Sequence, residues 1–129
     1  MSYYFAKTLS ATSFEDAVAR ATDALKLAGF GILTEIDVRA TMKKKLDKDF
    51  RDYRILGACN PAMAWQALQA EERIGTMLPC NVIVQQRDNG DVEVAAVDPV
   101  ASMQAVENPG LANVAAEVRD QLRRVIDSL

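Results

Sequence analysis

Apolar residues along the chain follow two repeats, and the switches between them mark out the elements. Tyr4 to Leu9 is a short mixed run that predicts an opening strand. Thr12 and Ser13, then Glu15 and Asp16, make two overlapping capping boxes, in which hydroxyl and carboxylate satisfy the free N–H groups at a helix start. Phe14, Ala17, Val18, Ala21, Leu25 and Ala28 recur at steps of three and four, and Gly29 supplies the left-handed residue that ends the helix. From Phe30 to about Val38 the period falls to two. Ile32, Ile36 and Val38 are expected on one face, with Glu35, Asp37 and Arg39 on the other, wet one.

Ala40 to Lys48 is rich in helix formers and predicts a short surface helix before Phe50. Tyr53 to Cys59 reads as a buried strand, which Asn60-Pro61 stops and converts into a helix running to about Arg73, Asn being a good N-cap and Pro a favoured first helical residue. The inward stripe of that helix is assigned to Ala64, Trp65 and Leu68, so Trp65 and Met63 read as packing residues. Gly75 and Pro79 bound a loop, and Cys80 to Gln86 forms the next strand around Val82, Ile83 and Val84. Asp88-Asn89-Gly90-Asp91 signals a tight hairpin with positive φ at both Asn89 and Gly90, which pairs Val92–Val97 antiparallel with Val82–Arg87. Asp98-Pro99 opens a short helical turn through Val106, Asn108-Pro109-Gly110 breaks it, and a last helix from about Leu111 carries Val114, Val118, Leu122, Val125 and Leu129 on one stripe.

The resulting order, β-α-β-(α)-β-α-β-β-α-α, predicts an α+β two-layer sandwich: a mainly antiparallel sheet with helices on one face. Its 129 residues, half of them apolar, suit a single domain spanning 1–129 with no linker or low-complexity segment. Strand-helix-strand occurs twice in succession, but no residue-level repeat accompanies it.

Composition removes several chemistries. The chain has no histidine, which excludes Ser-His-Asp and Cys-His catalytic pairs and imidazole metal ligands. A net charge of -3 argues against a nucleic-acid partner, whose phosphates call for a field of Lys and Arg. Neither a basic leader followed by an apolar stretch nor a run of 18 apolar residues occurs, so no membrane is expected and the expected compartment is the cytoplasm. There the two cysteines, Cys59 and Cys80, would be thiols, and their spacing fits neither a CxxC motif nor a zinc cluster.

Those cysteines nevertheless form the most unusual local feature. Gly57-Ala58-Cys59-Asn60-Pro61 ends one strand and Leu78-Pro79-Cys80-Asn81 begins another, with a single helix between them. If the strands are antiparallel neighbours, Cys59, Asn60, Cys80 and Asn81 are expected at one rim of the sheet as a candidate ligand-binding site. Cys59 precedes a helix N-terminus, where the macrodipole is expected to lower its pKa. Such a pair suits a redox disulfide or two-coordinate binding of a soft ion such as copper(I). The competing reading is structural: buried cysteine fills space as a small hydrophobe, and Asn60 and Pro61 are explained by capping.

The remaining charged residues are weaker candidates. Lys43-Lys44-Lys45, with Lys48 and Arg51, would attract an anion, but Asp47, Asp49 and Asp52 cancel much of that field. Glu35, Asp37, Glu71 and Glu72 offer carboxylates, none fixed by sequence at a catalytic separation. Gly29-Phe30-Gly31 lacks the third glycine of a phosphate loop and precedes a strand where a dinucleotide fingerprint follows one.

Three ordered blocks, Gly29-Phe30-Gly31-Ile32-Leu33-Thr34-Glu35-Ile36-Asp37, Tyr53 to Pro61 and Leu78 to Val84, together resemble the domain of unknown function 302 family over nearly the whole chain. The resemblance implies a small α+β fold, often dimeric, found mostly in bacteria and archaea. The family's blocks match Cys59, Asn60, Pro61, Pro79, Cys80 and Asn81, but the resemblance brings no activity and no catalytic role. The reading that results is a non-catalytic cytoplasmic module, a homodimer with a small molecule or soft metal ion at the Cys59/Cys80 rim. Its alternatives are a thiol-dependent redox protein, with Cys59 attacking and Cys80 resolving, and a purely structural interaction domain.

Overall fold

A computed structural model describes residues 2–129. Five strands, β1 (Tyr4–Leu9), β2 (Gly31–Asp37), β3 (Tyr53–Cys59), β4 (Cys80–Gln86) and β5 (Val92–Val97), form one sheet in the order β1-β5-β4-β3-β2. Every neighbouring pair is antiparallel, as expected of the α+β sandwich. Around it lie α1 (Phe14–Leu27), α2 (Val38–Leu46), α3 (Pro61–Ala70), α4 (Pro99–Ser102) and α5 (Pro109–Asp127).

The two long helices form because their caps and stripes agree. Ser13 Oγ accepts from the Asp16 N–H at 3.1 Å at the start of α1, and Phe14, Ala17, Val18, Ala21 and Leu25 are buried on one stripe. Helix α5 buries Leu111, Ala115, Val118, Leu122, Val125 and Ile126. The α1 stripe and Val118, Leu122, Val125 and Ile126 of α5 lie on alternate strand residues, Leu56, Ala58, Val82, Val84, Val92, Val94 and Ala96, as the main core, while Leu111 packs with Ala67 and Ile74 in a second, smaller cluster. Helix α5 starts at Pro109, two residues before the expected start, because Asn108 Oδ1 accepts from the Gly110 N–H at 2.9 Å and makes the Pro-Gly pair its first turn. The sheet's other face carries Tyr4, Ile36, Ile55, Ile83 and Ala95, away from α1 and α5.

Three local expectations are corrected. In β2, Ile32 pairs with Ala58 but Thr34 with Gly57, so Leu33 is an extra residue and the register slips by one. A one-residue slip exchanges faces. Ile32 therefore packs on the core, Ile36 turns to the opposite face at 46% exposure, and Glu35 and Asp37 sit on the helix-covered side; Val38 already belongs to α2.

The hairpin after β4 is a three-residue loop. Among the described residues only Ala11, Asp47, Gly29 and Gly90 have positive φ, so Asn89 does not. Gly90 N–H bonds to Arg87 O at 3.1 Å and Arg87 N–H to Asp91 O at 2.8 Å, a turn closed by one left-handed glycine.

On α3 the inward residue is Ala67, while Trp65 is 67% and Leu68 42% exposed. The helix is seated on its small side chains, Ala64, Ala67 and Ala70 with Met63, and ends at Ala70 before a 3-10 turn at Ile74–Met77. Small residues allow α3 to approach α5 closely, which leaves the indole outside.

Candidate functional site

Strand β3 ends at Cys59, and Asn60 turns the chain into α3. Its Oδ1 accepts from the Met63 N–H at 3.4 Å, with Pro61 in the first helical place, as the sequence spells out. Helix α3 and the 3-10 turn bring the chain back to Pro79, and Cys80 opens β4. The register pairs Ala58 with Cys80 and Gly57 with Asn81, so both cysteines stand at the same end of adjacent strands.

Alternation then sorts the four candidate residues. Cys80 is buried on the helix-covered face beside Ala58. Asn81, the next residue, turns to the other face, is exposed, and borders a shallow hollow with Tyr53, Ile83 and Gln85. Cys59, Asn60 and Cys80, together with Met63, Met103 and Phe30, line one cavity of about 30 Å³ roofed by apolar side chains of α3 and α5. The structure thus gathers three of the four residues around one space and leaves Asn81 outside it. Asn60 Nδ2 also donates to Gln121 Oε1 of α5 at 3.3 Å, which fixes the amide across the mouth of the helix pair.

Both cysteines are free thiols. Burial, with the charge of Cys59 as the smaller cause, pushes Cys80 up to about 11; burial also raises Cys59. The expected lowering of Cys59 by the helix N-terminus is therefore reversed, because loss of water around the sulfur outweighs the partial positive charge of a ten-residue helix. Neutral thiols are the resting forms near neutral pH. Among the described residues no group of three His, Cys, Asp or Glu could hold a metal ion.

Met63 and Met103 were not among the sequence candidates. Met63 lies three residues beyond the Asn60 cap, which places it on the inward side of the first turn; nothing in the sequence around Met103, after α4, points to the cavity. Several of the other charged candidates are paired. Arg54 donates to Glu15 Oε1 and Glu35 Oε1, each at 3.1 Å, lies 3.8 Å from Asp37 and stacks over the Phe14 ring. Lys43 pairs with Asp47 at 2.9 Å and Asp49 at 3.5 Å on the solvent-facing α2. Glu72 meets Arg73 at 3.5 Å, and Glu71 Oε1 accepts from Asn108 Nδ2 at 3.4 Å. No helix of the described residues is long and apolar enough to cross a membrane.

No curated protein matches the chain. The crystal structure of an uncharacterized conserved DUF302 protein from Bacillus stearothermophilus superposes with a TM-score of 0.90 and 26% identity over 98% of each chain. The profile of the family described as a domain of unknown function, DUF302, matches residues 5–129, and it covers the sheet, both long helices and the cysteine-lined cavity together: the chain belongs to the DUF302 family.

Proposed function

We propose that the protein is a non-catalytic binding module of the cytoplasm, a single homodimeric domain that holds a small ligand or ion in the cavity between β3, β4, α3 and α5. The observation that carries this reading is the convergence of Cys59, Cys80, Met63, Met103 and Asn60 on one small, otherwise apolar space. Apolar pockets with a few convergent polarisable groups are where ligands are held. A thiol-redox role draws on the same sulfurs but is less well supported. Attack on a disulfide or peroxide proceeds from a thiolate, and burial holds both thiols in their neutral form. The second copy is assigned to the sheet face that α1 and α5 leave open, where Tyr4 and Ile36 are each nearly half exposed. Arg87 is already paired there with Glu93 at 3.1 Å, and the Arg51 guanidinium donates to the neutral Gln85 amide at 2.9 and 3.0 Å, so a partner would meet a face whose polar groups are largely hydrogen-bonded.

Native mass spectrometry of freshly purified, reduced protein tests both parts. The expected spectrum is a dimer with one retained mass per chain that Cys59→Ala/Cys80→Ala no longer holds. A chain without any adduct, before and after incubation with candidate ions, overturns the binding reading and leaves a structural domain. A monomer at micromolar concentration overturns the dimer.

A further inference from the structure

Resting on the binding role just proposed, we infer that the cavity ligand is a copper(I) ion, held by the sulfurs of Cys59 and Cys80 with the thioethers of Met63 and Met103 as further donors. Size narrows the choice first. A cavity of about 30 Å³ admits an ion, whereas pockets for organic ligands measure roughly 300 to 1,000 Å³.

Donor chemistry narrows it again. The lining offers two thiols and two thioethers, while its one amide, Asn60, is engaged with Gln121 and the Met63 N–H. Thiolate and thioether together are a soft set that selects copper(I); calcium, magnesium and manganese take oxygen ligands. Structural zinc takes four Cys or His ligands, and only two such residues are here.

Binding balances without any electron transfer: one Cu⁺ replaces the protons of two thiols, giving a bis-thiolate complex of charge -1 and two released protons. The start of α3, with its partial positive charge beside Cys59, offsets part of the cost of burying that anion. The burial that keeps the empty site's thiols protonated does not block a metal that displaces those protons. Uptake is instead linked to pH.

The test is transfer of copper(I) from a coloured bidentate chelator, without oxygen and with ascorbate holding the metal reduced. One equivalent per chain is expected, with the apparent affinity rising by up to about 100-fold per pH unit around neutrality, the signature of two released protons. Met63→Leu and Met103→Leu, swaps that keep volume and fold, should each weaken uptake roughly tenfold. Cys59→Ala at the half-buried position should weaken it at least 100-fold, with circular dichroism confirming the fold. No transfer to wild type, or transfer unchanged in the cysteine or methionine variants, overturns the assignment. A native mass adduct other than copper, in a protein that takes none from the chelator, refutes copper while leaving the binding role intact; no adduct of any kind removes both.

Discussion

Gly57 is the tightest point in the sheet next to the candidate site, and replacing it tests the packing that sets the register there. A Cβ at this position would collide with Thr34 Oγ1 and lie 2.7 Å from Cγ of the Pro79 ring, well inside the roughly 3.5 to 4.0 Å at which carbons pack. Thr34 is a side chain that can rotate on an exposed edge strand. Pro79 is a ring adjoining Cys80, and it can retreat only by moving the start of β4. Overpacking of this kind costs about 1 to 3 kcal/mol. Against it stands the roughly 0.4 to 1 kcal/mol that alanine contributes by restricting the unfolded chain, since φ at Gly57 lies outside the left-handed region. The net expectation for Gly57→Ala is a loss of about 1 to 2 kcal/mol, or a urea midpoint lowered by about 0.5 to 1 M at unchanged slope. Thr34→Ala alone should be near neutral, and in that background Gly57→Ala should cost about 1 kcal/mol less, a coupling a double-mutant cycle measures. A Gly57→Ala protein as stable as wild type would refute the close approach of β2, β3 and Pro79.

Further outcomes follow from single observations. Cys80 holds its proton up to about 11 when folded against 9.0 for an ordinary thiol, so its contribution is fully present below pH 9 and is lost as pH rises to 11. Unfolding titrations across that window should show about 2 to 3 kcal/mol more loss in wild type than in Cys80→Val; equal slopes would refute the burial. Arg54→Ala should cost about 2 kcal/mol and Arg54→Met less than half of that, because the longer side chain still covers Phe14 while the exposed carboxylates return to water; equal losses in urea melts would show that charge, not packing, dominates. Ala11 has φ 52°, a conformation that costs a Cβ residue about 1 to 2 kcal/mol, so Ala11→Gly should raise thermal stability by roughly 0.5 to 1 kcal/mol, and a destabilised variant would refute that strain. Asn81→Ser should leave ligand retention within about twofold, whereas Asn60→Ala should cost about 1 kcal/mol of stability through the lost cap; the reverse pattern would move the site to the other face.

Where local chemistry decides an element, the sequence is legible. The Ser13 cap, the 3.6-residue stripe of α1, the Asn60-Pro61 junction and β1, β3 and β4 lie where composition and period put them. Errors appear where the deciding contact is remote. Alternation in β2 is regular only if no residue is added, and the bulge at Leu33 is set by pairing with β3, a partner about 25 residues away. Asn89-Gly90 fits two turn geometries, and the antiparallel register of β4 with β5 selects the one that spends a single left-handed residue. For α3, hydrophobicity pointed Trp65 inward, but the available space between α3 and α5 suits alanine; size, not polarity, decides which face is buried.

The candidate site shows the same division at finer grain. That two cysteines flank one helix is visible in the sequence, but the antiparallel pairing of β3 and β4 is set by the sheet, since a helical crossover is also the usual connection of parallel strands. Alternation then separates Cys80 from Asn81 across the sheet, because successive strand residues point to opposite faces, and the two border a common hollow only at the strand's open end, beside Leu78 and Ser102. Cys59 escapes that parity only as the last residue of β3, where the turn into α3 carries it to the cavity's edge. Met103 arrives from the far end of the chain through the docking of α4 on α5. The local members of the candidate site are thus a matter of sequence, and its full set of sulfurs is a matter of topology: the cavity gathers side chains from segments that only the assembled fold brings within reach.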